Sequence, residues 1–342
     1  MATRGALVVM VMAAIDIGKT VLQAASLDDA SGVSGEARFT ADRECLARWV
    51  DGFEGRLGLV TIEATTGWKW VASELSARGV EVVLVDPGEA AARKGRKRRA
   101  KTDRLDARFL LSLLVSGMLP RAWMPPAEIQ ELRALTRTRK ALVDARSGMA
   151  ERVQALLMHE GWPCQRGRLL TLSGRRWVDG LELEPAIRLV LDSLLGVIDD
   201  IDRRLEPLER EVRHRSKHDP RLRALQGIYG VGPIVACHLL AEIGDAHRFT
   251  RSRQVVRLSG LDPVVLESGE TKRRGRLAKA GPPLLRWALV EAAKHGRRPS
   301  SPDHERWQRI QKRRGSKIAD ITIARTIAGR ALNVLRDLPE AA

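Results

Sequence analysis

Cysteine, histidine and tyrosine are all scarce in this 342-residue chain, and each scarcity removes a class of chemistry. The three cysteines (Cys45, Cys164, Cys237) are odd in number and far apart, with no CxxC pair. They form no secretory disulfide framework, so reduced thiols in a cytoplasmic protein are expected. None of the seven histidines stands at zinc-ligand spacing from a cysteine, which argues against a structural zinc site. Tyr229 is the single tyrosine and precedes a glycine turn, leaving little room for a tyrosine recombinase. No apolar run is long enough to span a bilayer, so no membrane partner is expected. The run at 6–15 begins like a signal peptide, but it passes straight into Asp16-Ile-Gly-Lys without a cleavage region. A buried strand explains it better.

Acidic residues are in deficit: 42 Asp and Glu face 59 Lys and Arg, a formal charge of +17. Such an excess attracts polyanions, with nucleic acid first among them, although a ribosomal or membrane-surface protein has the same balance. With 44% hydrophobic residues the chain can bury two or three cores.

The predicted class is α/β plus all-α. Strands at 8–17, 20–27 and 34–39 are followed by a helix over 41–53, a strand at 57–63, a helix over 68–78, a strand at 81–85 and a helix from 103 to about 115. Three strands and then alternating helices and strands is the order of a ribonuclease-H-like (RuvC-like) domain, here 8–118. Residues 124–217 carry almost no strand signal. Ile187, Leu191, Leu194, Ile198, Ile201, Leu205, Leu208 and Val212 step by fours and threes, and Leu135, Leu142, Met149 and Leu156 recur every seven. A helical hairpin packed within the chain and a dimerising coiled coil both fit, with a kink expected at Pro207. A mainly helical third unit is predicted over 221–300, and a basic helical tail over 301–342.

Asp16 and Glu63 each end an apolar strand, and Asp103 and Asp106 lie three apart on one face of a helix start. Acids in such places suggest a metal or a paired cation, and hard oxygen ligands suit Mg²⁺, two ions of which can serve phosphodiester cleavage. Taken singly, Asp103 also reads as an ordinary helix-N-terminal acid and Glu63 as a solvated strand end. The run at 93–101 holds Arg93, Lys94, Arg96, Lys97, Arg98, Arg99 and Lys101. It reads as a phosphate grip beside the acids, or as a solvated helix face.

In GIYGVGPIVA, Gly230 and Gly232 free backbone N–H groups at a helix start, as in a helix-hairpin-helix turn that holds a phosphate. A plain turn between packed helices fits equally well. Ser268 lies in LESGETKRRGR, a stretch read as polar and flexible, with Lys272, Arg273, Arg274 and Arg276 around it and Lys279 beyond. Those cations are suited to a scissile phosphate, yet by chemistry alone a Ser-Gly turn is the commoner meaning. DIGKT resembles the first phosphate turn of actin-like kinases, but the second such turn is missing. A P-loop fails because Ala13 holds its first glycine position. A non-catalytic nucleic-acid-binding module and a Holliday-junction-resolvase-like nuclease, which needs the acids but not Ser268, remain as alternatives.

AIDIGKT, IEATTGWKWVASEL, VDPGEAAARKGRKRRAKTDRLDARFLLSLL and the segment 224–289 closely resemble the bacterial insertion-sequence transposases that join a RuvC-like DEDD domain to a C-terminal transposase domain. Piv-type invertases are relatives of that family. The resemblance implies that Asp16, Glu63, Asp103 and Asp106 form the metal-binding tetrad. It also implies that Ser268, in the SG segment after GLDP at 260–263, is a nucleophile forming a phosphoserine link with DNA. Further implications are a non-coding bridge RNA as partner beside element and target DNA, and assembly as a homodimer or tetramer. One departure stands out: where the family often reads SK-G, this chain has Ala278-Lys279-Ala280-Gly281.

Overall fold

The computed structural model describes residues 10–94, 102–268 and 271–338. The chain divides between Met124 and Pro125 into two compact units. In the first, β1 (Val11–Ile17), β2 (Val21–Asp28) and β3 (Ser34–Thr40) make an antiparallel meander. On its other side β1 pairs in parallel with β4 (Leu57–Glu63), and β4 with β5 (Glu81–Val85). The resulting order, β3-β2-β1-β4-β5, agrees with the ribonuclease-H-like expectation.

Parallel neighbours need a crossover, and a helix supplies each one. α1 (Arg43–Asp51) leads into β4, and α2 (Trp68–Ala77) joins β4 to β5. The α1 start is fixed by Asp42, whose carboxylate accepts the Cys45 amide at 2.7 Å. Strand alternation then sorts side chains between two faces. Ala13, Ile15, Leu22, Val60 and Ile62 pack with Leu46, Val71 and Leu75 from α1 and α2. Ala14 and Val85 point the other way, onto Ala90 and Leu110. Those two residues belong to α3 (Pro87–Arg93), capped by Asp86, and α4 (Asp103–Val115).

The second unit opens with α5 (Ala127–His159) and, after the short helices α6 (Arg166–Leu169) and α7 (Leu172–Asp179), returns along α8 (Pro185–His218). Arg215 with Glu131 at 3.6 Å, Arg139 with Glu209 at 2.6 Å and Arg146 with Asp202 at 2.6 Å tie α8 to α5 at successive levels. These pairings run in opposite senses along the two helices, so they form an antiparallel hairpin within the chain. α8 continues as helix through the exposed Pro207. All eight predicted seam residues of α8 are buried or half-buried. On α5 the buried stripe is displaced by one residue from prediction, through Leu132, Thr136, Arg139, Ala150, Val153 and Leu157. The predicted Leu135, Leu142, Met149 and Leu156 flank it, half-buried.

Beyond α8 come α9 (Pro220–Gln226), α10 (Pro233–Ile243) and α11 (Ser252–Leu258), then a ribbon of β6 (Pro263–Ser268) and β7 (Thr271–Leu277). The stretch read as polar and flexible is a paired ribbon: its two strands run antiparallel, with Ser268 opposite Thr271. α12 (Pro283–Ala293), a 3₁₀ turn at Lys294–Arg297, α13 (His304–Arg314) and α14 (Ser316–Arg336) complete the unit. The predicted basic tail is in large part core. Ala319, Ile323, Ala324, Ile327, Ala328, Ala331 and Leu332 of α14 are buried, and the alanines among them let α11, α12 and α13 pack closely. Buried Asp320 accepts from Trp307 Nε1 at 2.8 Å and pairs with Arg297 at 2.5 Å, while Asp303 takes both ends of the Arg330 guanidinium.

Candidate active site

Strand parity decides which way the two strand acids point. Ala14 of β1 stands beside Thr61 of β4, and Ile15 beside Ile62. Ile15 and Ile62 belong to the face covered by α1 and α2, so Asp16 and Glu63, the next residues along, turn to the opposite face. That face is covered by α4, which packs on β1, β2 and β4. Ala14 and Thr61 underneath are small and wholly buried, which brings the start of α4 close to the sheet. There Thr102 caps the helix by accepting the Leu105 amide at 3.3 Å, and Asp103 and Asp106 occupy its first turn.

The electrostatics report the convergence of Asp16, Asp103 and Asp106, while Glu63 shares their face of the sheet by strand parity alone. The Asp16 carboxyl is pushed above the ordinary carboxylate range, first by burial and then by the negative charges of Asp103 and Asp106. The ammonium of Lys94 and the Ile17 amide oppose the shift. Lys94, at the end of α3, is ion-paired with Asp106 and lies 5.3 Å from the centre of the Phe109 ring. Three mutually repelling carboxylates with hard oxygen donors fit a divalent cation in chemistry. Among the described residues, no three acidic, histidine or cysteine side chains stand ready-made as a metal-ligand group. Lys94 was read in sequence as a phosphate contact, and its pairing with Asp106 had no sequence signal. Of the other residues in the basic run, Arg93 ends α3, while Arg96, Lys97, Arg98, Arg99 and Lys101 lie outside the described residues.

The remaining candidates belong to the second unit. Ser268 closes β6, next to the ribbon turn, and its side chain with those of Lys272, Arg273 and Arg274 lies outside the described residues. Arg276 and Lys279 are exposed at the base of the ribbon. That base is clamped: the Ala278 amide donates to Asp262 O at 2.9 Å and the Lys279 amide to Gly260 O at 3.0 Å. Gly281, at φ +77°, lies so close to the end of α11 that a side chain there would meet Leu258 O at 2.0 Å. Gly230 and Gly232 lie in the turn between α9 and α10, and Gly232 is the residue before the first turn of α10.

Among the described residues no helix is long and apolar enough to cross a membrane. Residues 13–160 match the DEDD transposase family of the IS110 type, and residues 222–308 match the Transposase IS116/IS110/IS902 family. A chain of Sinorhizobium fredii carrying the name transposase y4rJ is 30% identical over 69% of this chain and 64% of its own length. The transposase for insertion sequence element IS1111A of Coxiella burnetii is 26% identical over 82% of this chain and 76% of its own. The chain thus spans less than two thirds of the first of these relatives. Both halves of the family pattern occur here in order, the DEDD half over the acid-bearing sheet and on through α5 and the transposase half over the ribbon, and the chain belongs to the IS110 family of insertion-sequence transposases.

Proposed function

We propose that this chain cuts and rejoins DNA strands, with Asp16, Glu63, Asp103 and Asp106 as a metal-binding tetrad and Ser268 as the nucleophile. The observation that carries the reading is the crowding at Asp16, a half-buried strand acid whose carboxyl is raised first by burial and then by two further acids presented from the first turn of α4. Such repulsion is relieved by a cation, and the four acids would hold Mg²⁺, as one ion or two. Bound there, it would supply charge neutralisation at a phosphodiester.

The chemistry of the chain's own residues is a transesterification. The Ser268 hydroxyl oxygen forms a bond to phosphorus, the bond from phosphorus to one deoxyribose oxygen breaks, and the hydroxyl proton passes to the departing oxygen or to solvent. The phosphoserine link keeps one phosphoester bond for each one broken. A deoxyribose hydroxyl of another strand then reverses the step, restoring the Ser268 hydroxyl. Arg276 and Lys279, exposed beside the ribbon, are placed to neutralise phosphate charge. DNA and a bridge RNA are the partners, in keeping with the +17 charge, and a homodimer or tetramer is the assembly.

The test is a covalent trap: the protein is incubated with its element ends, Mg²⁺ and flanking RNA, and protein–DNA adducts are resolved under denaturing conditions. Ser268→Ala and Asp16→Ala are expected to form none, while Tyr229→Phe forms them normally. An adduct that survives Ser268→Ala would sink the serine scheme and favour hydrolysis at the acids alone.

A further inference from the structure

Lys94 is the cation that the fold sets against Asp16 and Asp106. Its place is fixed from both ends of α3. The helix starts at Asp86, whose carboxylate accepts the Glu89 amide at 2.9 Å, and Ala90 in its middle is buried with Ala14, Val85 and Leu110. Lys94 closes the helix, its amide donating to Ala91 O at 3.2 Å. From there the ammonium meets two groups that stand three residues apart on α4. It pairs with the carboxylate of Asp106 and lies 5.3 Å from the centre of the Phe109 ring.

The cations nearer in sequence are engaged elsewhere. Arg104 and Arg108 flank Asp106 on α4, yet both pair with Glu36 of β3. What faces the acids is a lysine, a point charge on a flexible stem whose side chain is 40% exposed. An arginine fork would clasp both carboxylate oxygens, whereas the ammonium makes one releasable contact, to Asp106 Oδ1. A divalent cation ligated by that carboxylate would stand against the same ammonium, and two cations so close repel each other.

We infer that Lys94 is the built-in counter-ion of the acid cluster: its ammonium holds Asp106 in the protein without metal, must let go when a divalent cation is ligated there, and thereby sets how tightly the site takes metal. The inference rests on the reading of the acids as a metal-binding tetrad and assigns Lys94 a role that its place in a basic run does not suggest. Metal entry and the release of an ammonium beside the site are then one event. Lys94 is a positioning residue in this scheme, acting through Asp106.

The test needs neither nucleic acid nor activity. Full-length protein stripped with EDTA is titrated with Mn²⁺ by isothermal calorimetry, and its thermal midpoint is followed with and without Mn²⁺. Lys94→Met keeps the length of the stem and loses the charge, and it is expected to bind Mn²⁺ about tenfold more tightly than wild type. Its midpoint should therefore rise further on adding Mn²⁺ than that of the wild type. An ordinary surface ion pair would instead lower the midpoint equally with and without metal. Lys94→Arg keeps the charge and is expected to bind Mn²⁺ no more tightly than wild type. Affinity in Lys94→Met that is unchanged or weaker overturns the inference, as does Lys94→Arg binding as tightly as Lys94→Met. Mn²⁺ binding that is abolished by Asp16→Asn but indifferent to Lys94 keeps the tetrad and sinks only this inference. Wild type and Lys94→Met that both fail to bind Mn²⁺ overturn the tetrad reading with it.

Discussion

The surroundings of Asp16 disfavour its ionised form, and this has a measurable sign. A carboxyl raised above its unfolded value binds a proton more readily in the folded chain, so stability falls as pH climbs from the ordinary carboxylate value through the raised one. Asp16→Asn removes the charge and is expected to raise the thermal midpoint at neutral pH, with the difference vanishing in acid. Mg²⁺ is expected to raise the midpoint of the wild type and leave Asp16→Asn unmoved; equal shifts in both would separate the metal from this acid. His238 of α10 carries the opposite kind of strain. It is wholly buried against Trp287, with ring centres 4.9 Å apart, and neither ring nitrogen has a hydrogen-bond partner among the described residues. Burial first, and then the charges of Arg139 and Lys140, push its pKa down to about 4. Those two cations are themselves paired with Glu209 and Asp144. A histidine depressed in this way gives stability that is present above its unfolded value of about 6.5 and lost as pH falls towards 4, by about 3 kcal/mol. Urea titrations should therefore show His238→Leu losing about that much less than wild type over the same interval. The acids were legible because an apolar strand ending in a charge is conspicuous in any sequence. Lys94 on Asp106 and the solitude of His238 were not, since each depends on what lies across a fold.

At the level of elements, apolar spacing revealed where helices lie more reliably than which face they bury. β4 and β5 occupy the residues that alternation assigned, and α8 buries the seam drawn on it. On α5 the buried stripe contains Thr136 and Arg139, which a search for leucines passes over, so the predicted line slid one residue to the side. The ribbon escaped for a related reason: Thr271–Leu277 is mostly charged, and its strand character comes from backbone pairing to β6 rather than from an apolar face. Arg139 is the critical polar member of the hairpin. Its guanidinium reaches Glu209 at 2.6 Å while its Nε finds no partner among the described residues, so the pair is costly to keep and costly to break. Arg139→Ala strips the charge and leaves a gap, and chemical denaturation should register a loss of about 2 kcal/mol. Arg139→Met fills the space without charge and should recover most of it. A methionine variant as unstable as the alanine one would show that the ion pair, rather than the filled seam, holds α5 to α8.

Across the whole molecule, charge is divided unevenly between the two units. Residues 1–124 hold 18 Lys and Arg against 15 Asp and Glu, while residues 125–342 hold 41 against 27. Seven of the eighteen cations in the first unit fall within 93–101. Apart from that run, the unit bearing the acids is itself acidic, and would repel the phosphates on which it is proposed to act. The excess positive charge of the second unit is spread along its sequence, while that of the first is concentrated in the run just before Asp103 and Asp106. Replacing Arg96, Lys97, Arg98, Arg99 and Lys101 with glutamine turns the formal charge of the first unit from +3 to −2 and leaves Lys94 with Asp106. Each replaced cation that meets a phosphate on duplex DNA should lower the salt slope of binding by about 0.9, so a fall of about 2–4 is expected, with the fold unaltered by circular dichroism. Adduct formation should fail in the same variant even at low salt, where the second unit still holds the DNA, because a phosphate gripped elsewhere is not delivered to the acids. If the slope and the adduct both survive, the run at 93–101 is a solvated surface and delivery to the tetrad belongs to the second unit alone.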